Sequence, residues 1–126
     1  MPPRSVLVID DEDHIREVAE VSLEAVGGWR VLTAPSGAAG VAIAASERPD
    51  AILLDVMMPE LDGPATVGRL QADAGTRDIP VILLTAKVQP ADHQRFAQLG
   101  VAAVLAKPFD PMALPGQVSD ALGWSA

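Results

Sequence analysis

Five short apolar runs, at residues 6–9, 29–33, 51–54, 81–84 and 101–106, alternate with segments whose apolar residues recur at helical spacing. This alternation constrains the fold more than any other feature of the chain. Four of the runs are continuous, as expected of strands covered on both faces of a parallel sheet. The second is mixed, as an edge strand would be.

The intervening segments carry helix signals. Ile15, Val18, Ala19, Ser22, Leu23 and Val26 form one face of a first helix, which Gly27 and Gly28 terminate. Ser36 is placed to cap a second helix. A third starts near Gly63 and Pro64 and carries Val67 and Leu70. Pro90 suits the first turn of a fourth, which carries Phe96 and Leu99 and stops at Gly100. A fifth is predicted from about residue 111 to residue 122, with an irregular start or a kink at Pro115. Five such units predict an open, doubly wound parallel sheet with right-handed crossovers and strand order 2-1-3-4-5. Ligands of such sheets sit at the carboxyl ends of the strands.

Bulk properties narrow the function classes. The 126 residues suit one domain, residues 1–126, with no output domain expected. A net charge of −8 argues against nucleic acid or an anionic membrane as the main partner. The absence of cysteine excludes disulfides and thiolate metal sites. With no signal-peptide pattern and no apolar run of about 18 residues, the expectation is a soluble, cytoplasmic chain.

The strand ends carry the chemistry. The first run ends in Asp10 and Asp11, the third in Asp55, the fourth in Thr85 and the fifth in Lys107. In the order 2-1-3-4-5 those four strands are consecutive, about 4.8 Å apart, so these groups line one rim. Taken singly, each has a bland reading: a solvated strand end for the acid pair, a turn-capping aspartate, a structural threonine, a surface lysine. Together they make a coherent site. Hard oxygen ligands, with no cysteine and no histidine at a strand end, suit Mg²⁺ or Mn²⁺ rather than Zn²⁺. A carboxylate beside such a cation can attack a phosphoryl group. The cation, an ammonium and a hydroxyl can then neutralise the phosphoryl oxygens.

Along nearly its whole length the chain resembles the receiver domains of two-component response regulators. The resemblance rests on the acid pair Asp10 and Asp11, Asp55 in "DVMMPELDG", Thr85 with Ala86, and Lys107 with Pro108 in "KPF". It implies a flavodoxin-like fold and phosphorylation at Asp55. It implies Mg²⁺ bound by Asp11, Asp55 and the backbone carbonyl of Met57, with Asp10 acting partly through water. It implies contacts from Thr85 and Lys107 to the phosphoryl group, and a cis Lys107–Pro108 bond. The donor it implies is a phosphohistidine on a sensor histidine kinase or a histidine phosphotransfer protein. The expected role is that of a stand-alone receiver that signals by phosphorylation-dependent binding to a downstream protein, or by relay. As such it catalyses only its own phosphorylation and dephosphorylation.

Two rival readings stay open. One is a pseudo-receiver that binds partners without turning over phosphate, although the acidic site is complete. The other is an aspartyl-phosphate hydrolase, which would need a second general acid two residues after Asp55, where Met57 stands. A nucleotide-binding flavodoxin relative is disfavoured because the first loop is acidic rather than glycine-rich. Some positions depart from the family or vary within it. Val104 stands where the family usually has Tyr or Phe, in "GVAAVLAKPF". A short, stiff side chain there cannot swing between surface and interior. Met57 and Lys87 flank the expected approach of water to the phosphorus. Gly63 is expected to allow a tight turn after Asp62, Met58 to pack the loop, and His14 and His93 to lie exposed without a role.

Overall fold

Each apolar run becomes a strand and each helical-period segment a helix in the computed structural model, which describes residues 3–86 and 89–124. The order is β1 (Ser5–Ile9), α1 (Asp13–Ala25), β2 (Arg30–Ala34), α2 (Gly37–Glu47), β3 (Ala51–Asp55), α3 (Gly63–Ala72), β4 (Val81–Thr85), α4 (Pro90–Ala97), β5 (Ala103–Ala106) and α5 (Leu114–Leu122). All strand pairs are parallel, and the sheet order is β2-β1-β3-β4-β5, as expected.

The period of two along each strand sorts its residues between two cores. Leu7, Ile9, Ile52, Leu54 and Leu83 face α2, α3 and α4, where they meet Ala44, Val67, Leu70 and Phe96. Val6, Val8, Leu53, Ile82 and Leu84 face α1 and α5, where they meet Ala19, Leu23, Leu114 and Val118. Fully burying a side chain of this size contributes roughly 1.5–3 kcal/mol. Burial on both faces explains why β1, β3 and β4 read as continuous apolar runs. Gly40 in α2 allows that helix to approach the sheet, because a Cβ there would lie 2.3 Å from Ile9 Cδ1.

Two local expectations need correction, and a third gains its physical reason. The fifth run was read as covered on both faces, yet β5 is the second edge of the sheet. Its Ala103, Val104 and Leu105 are half-buried and Ala106 is exposed. It also begins at Ala103 rather than at residue 101. The fifth helix begins at Leu114, with Pro115 in its first turn, so residues 110–113 form the irregular entry and no kink is needed. There a proline has no intrahelical hydrogen bond to lose. Gly63 does not adopt a positive φ. It is required because a Cβ there would lie 2.7 Å from Val56 Cα, where its own N–H donates to the Val56 carbonyl at 2.9 Å.

The caps follow their chemistry. Ser36 Oγ accepts from the Ala39 N–H at 3.1 Å, and Asp62 Oδ1 accepts from the Ala65 N–H at 2.9 Å. Met58 is buried, His14 is exposed and His93 is half-buried. Lys87 lies outside the described residues. No helix among the described residues is long and apolar enough to cross a membrane.

Candidate functional site

β1 and β3 are neighbours, so their carboxyl ends bring Asp10 and Asp55 to one rim of the sheet. Both residues are buried, with exposures of 1% and 3%. Buried carboxylates need compensation, and Lys107, just beyond β5, supplies it. Its Nζ lies 2.9 Å from Asp10 Oδ2 and 3.1 Å from Asp55 Oδ1. The lysine reaches the site because its backbone N–H donates to the Thr85 carbonyl at 2.9 Å, continuing the β4–β5 ladder. The Lys107–Pro108 peptide is cis.

Asp11 completes the cluster. Unlike its neighbour it is exposed, and one carboxylate oxygen from each of Asp10, Asp11 and Asp55 can lie within 4.8 Å of the others. Met57 stands at the mouth, 62% exposed, and its N–H donates to Asp55 Oδ1 at 3.4 Å. Thr85 is fully buried at the end of β4, opposite Ala106 in register. The rim therefore gathers Asp10, Asp11, Asp55 and Lys107 directly. Thr85 and Met57 border it through the backbone.

Charge is unbalanced here. Burial raises the pKa of Asp55 above its ordinary value, and repulsion from Asp10 adds to this. The charge and hydrogen bond of Lys107, and the Met57 N–H, only partly oppose the shift. For Lys107, burial acts to lower the pKa. The hydrogen bond and charge of Asp10, joined by those of Asp55, outweigh it, so the ammonium titrates above its ordinary value. Among the described residues, three carboxylates against one ammonium leave a formal charge of −2. An all-oxygen donor set with that deficit fits a hard divalent cation such as Mg²⁺, and Mn²⁺ is compatible with the same donors.

Sequence reasoning passed over Arg16. Its Nη1 donates to the Asp10 backbone carbonyl at 2.8 Å, and its Nη2 pairs with the Asp13 carboxylate. The available signal was an acid–base pair three residues apart in the first turns of α1, directly after the acid pair.

Comparisons with known proteins address the family and the fold. The family model for the response regulator receiver domain matches residues 6–119. A probable transcriptional regulator of Cyanophora paradoxa, ycf27, is 37% identical over 119 residues, covering 94% of this chain and 48% of that protein. RpaA of Synechocystis sp., named a DNA-binding dual master transcriptional regulator, is 40% identical over 105 residues, covering 83% of this chain and 43% of that protein. The chain thus spans about half the length of the curated relatives it matches. The solved structure of the chemotaxis response regulator CheY4 of Vibrio cholerae superposes with a TM-score of 0.88 at 29% identity, covering 94% of this chain and 98% of that one.

Proposed function

The chain belongs to the response regulator receiver domain family of two-component signalling, and on that premise we propose that it accepts a phosphoryl group on Asp55 in a Mg²⁺-dependent reaction. One observation carries the reading: two buried carboxylates share the Lys107 ammonium, with a third carboxylate within 4.8 Å.

The residues divide the work. Asp55 is the nucleophile: a carboxylate oxygen forms a bond to phosphorus as the bond from phosphorus to the donor's imidazole nitrogen breaks. The electron pair of that bond leaves with the imidazole. Lys107 and the Met57 N–H both hold Asp55 Oδ1, which orients the carboxylate before attack. Asp10, Asp11, Asp55 and the Met57 carbonyl are the groups that would hold Mg²⁺, with Asp10 acting partly through water. When bound, Mg²⁺ supplies positive charge to the phosphoryl oxygens. Once Asp55 carries the phosphoryl group its own negative charge is gone, and the Lys107 ammonium turns to a phosphoryl oxygen. Thr85 donates its hydroxyl to another.

The partners of this reading are proteins: a sensor histidine kinase or histidine phosphotransfer protein as donor, and a downstream protein that senses the modified surface. For residues 1–126 we keep nucleic acid and membrane out of the partner set on the net charge of −8. A cytoplasmic setting accords with a kinase donor.

The test uses acetyl phosphate with and without Mg²⁺, followed by intact mass measurement. The expected result is a gain of one phosphoryl group only with Mg²⁺, and none in Asp55→Asn. A gain that survives that substitution, or that needs no divalent cation, overturns the proposal.

A further inference from the structure

Asp10 is held at four atoms. Its N–H donates to the Ala34 carbonyl at 3.1 Å, and its Oδ2 meets Lys107. Its Oδ1 accepts from the Glu12 N–H at 2.9 Å, and its backbone carbonyl accepts from Arg16 Nη1 at 2.8 Å. Asp11 differs: it is exposed, and the direction of its carboxylate depends on the two peptides that flank it. One begins at the Asp10 carbonyl that Arg16 holds. The other ends at the Glu12 N–H that Asp10 holds. β1 stops at Ile9, so this carbonyl lies beyond the strand.

We propose that Arg16 is a positioning residue for Asp11, fixing the turn between β1 and α1 so that the exposed carboxylate faces Asp55. Its guanidinium is suited to this. One planar fork reaches the Asp10 carbonyl and the Asp13 carboxylate together, and the side chain is only 18% exposed. Its stem rises from α1, so the turn is tied to a rigid element rather than to another loop. The proposal rests on the cation site described above, and it concerns the geometry of that site rather than its charge.

Charge and geometry predict opposite signs. Arg16 is a cation near an acidic cluster, so as a charge alone it repels Mg²⁺, and its removal would tighten binding. As a positioning residue its removal loosens Asp11 and weakens binding. Residues that orient a metal ligand from behind typically change affinity by about tenfold or more when lost.

Mg²⁺ titrations followed by amide chemical shifts, on the wild type, Arg16→Ala and Arg16→Lys, separate the two. Each variant is first checked for a native spectrum, and if Ala is unfolded, Lys carries the test. The expected result is a Kd for Mg²⁺ about tenfold higher in Ala. Lys should also be weakened, because an ammonium keeps the charge but not the fork. Without metal, hydrogen exchange at the Glu12 amide should be faster in both variants. A Lys variant that matches the wild type in Kd, or an Ala variant that binds more tightly, overturns the inference and leaves the receiver reading standing. A wild type that binds no Mg²⁺ overturns both.

Discussion

The two ends of the sheet are made of the same strands but close in opposite ways. At the carboxyl end, Asp10 and Asp55 are buried close together with Lys107 between them. At the amino end, Trp29 packs edge-on against Trp124 with ring centroids 5.2 Å apart, and the Arg4 guanidinium lies 4.4 Å from the centre of the Trp124 ring. Beside them Asp50 Oδ2 accepts from the Ser5 N–H at 2.7 Å, and the Asp50 N–H donates to the Ser5 carbonyl at 2.8 Å. The amino end satisfies its polar groups and buries aromatic surface. The carboxyl end holds a surplus of negative charge that folding alone does not resolve.

Four substitutions can break or sharpen that contrast. The largest effect is expected from Asp11→Ala, which removes a proposed ligand and should take Mg²⁺ binding beyond reach of an NMR titration. Unchanged affinity would remove the carboxyl end's claim to be a cation site. Next is Lys107→Ala, which leaves two buried acids without their shared partner. Unfolding in urea should show a loss of about 3 kcal/mol without Mg²⁺, part of it recovered when Mg²⁺ is added. Equal stability in the variant would mean that the acids do not depend on the lysine.

At the other end, Trp29→Ala should cost about 2 kcal/mol from lost burial, with no change in Mg²⁺ affinity. A shifted affinity would show that the two ends are not independent. The smallest effect should be a gain. Asp55 has a raised pKa in the folded protein, so its ionised form opposes folding. That penalty is absent at low pH. It sets in as pH rises above the ordinary carboxylate value of 3.8 and through the raised folded-state value. Without Mg²⁺, Asp55→Asn should therefore be slightly more stable than the wild type at neutral pH, and the difference should vanish in acid. A less stable variant at neutral pH would contradict the electrostatic account.

The strand order and the rim residues were legible because each depends on a local pattern. Strands covered on both faces read as continuous apolar runs, and strand ends in a known order place Asp10, Asp11, Asp55, Thr85 and Lys107 side by side. What was misread depends on tertiary context. The residues of β5 are apolar enough for a central strand, yet β5 stands at the edge of the sheet and they are half-buried. The requirement for Gly63 is tertiary as well, because it answers to Val56, seven residues away along the chain. Val104, read from sequence as a short, stiff side chain, is partly buried against the core that contains Leu83 and Phe96. Arg16 escaped notice because its main target is a backbone carbonyl, which no side-chain pattern encodes.

The central claim is that, of three clustered carboxylates, Asp55 alone takes the phosphoryl group. Acyl phosphates can be trapped by borohydride reduction and located by peptide mass spectrometry. After treatment with acetyl phosphate and Mg²⁺, the account predicts a reduced residue at position 55 and unmodified aspartates at positions 10 and 11. A trapped residue at Asp10 or Asp11, or at any position away from this rim, would contradict it.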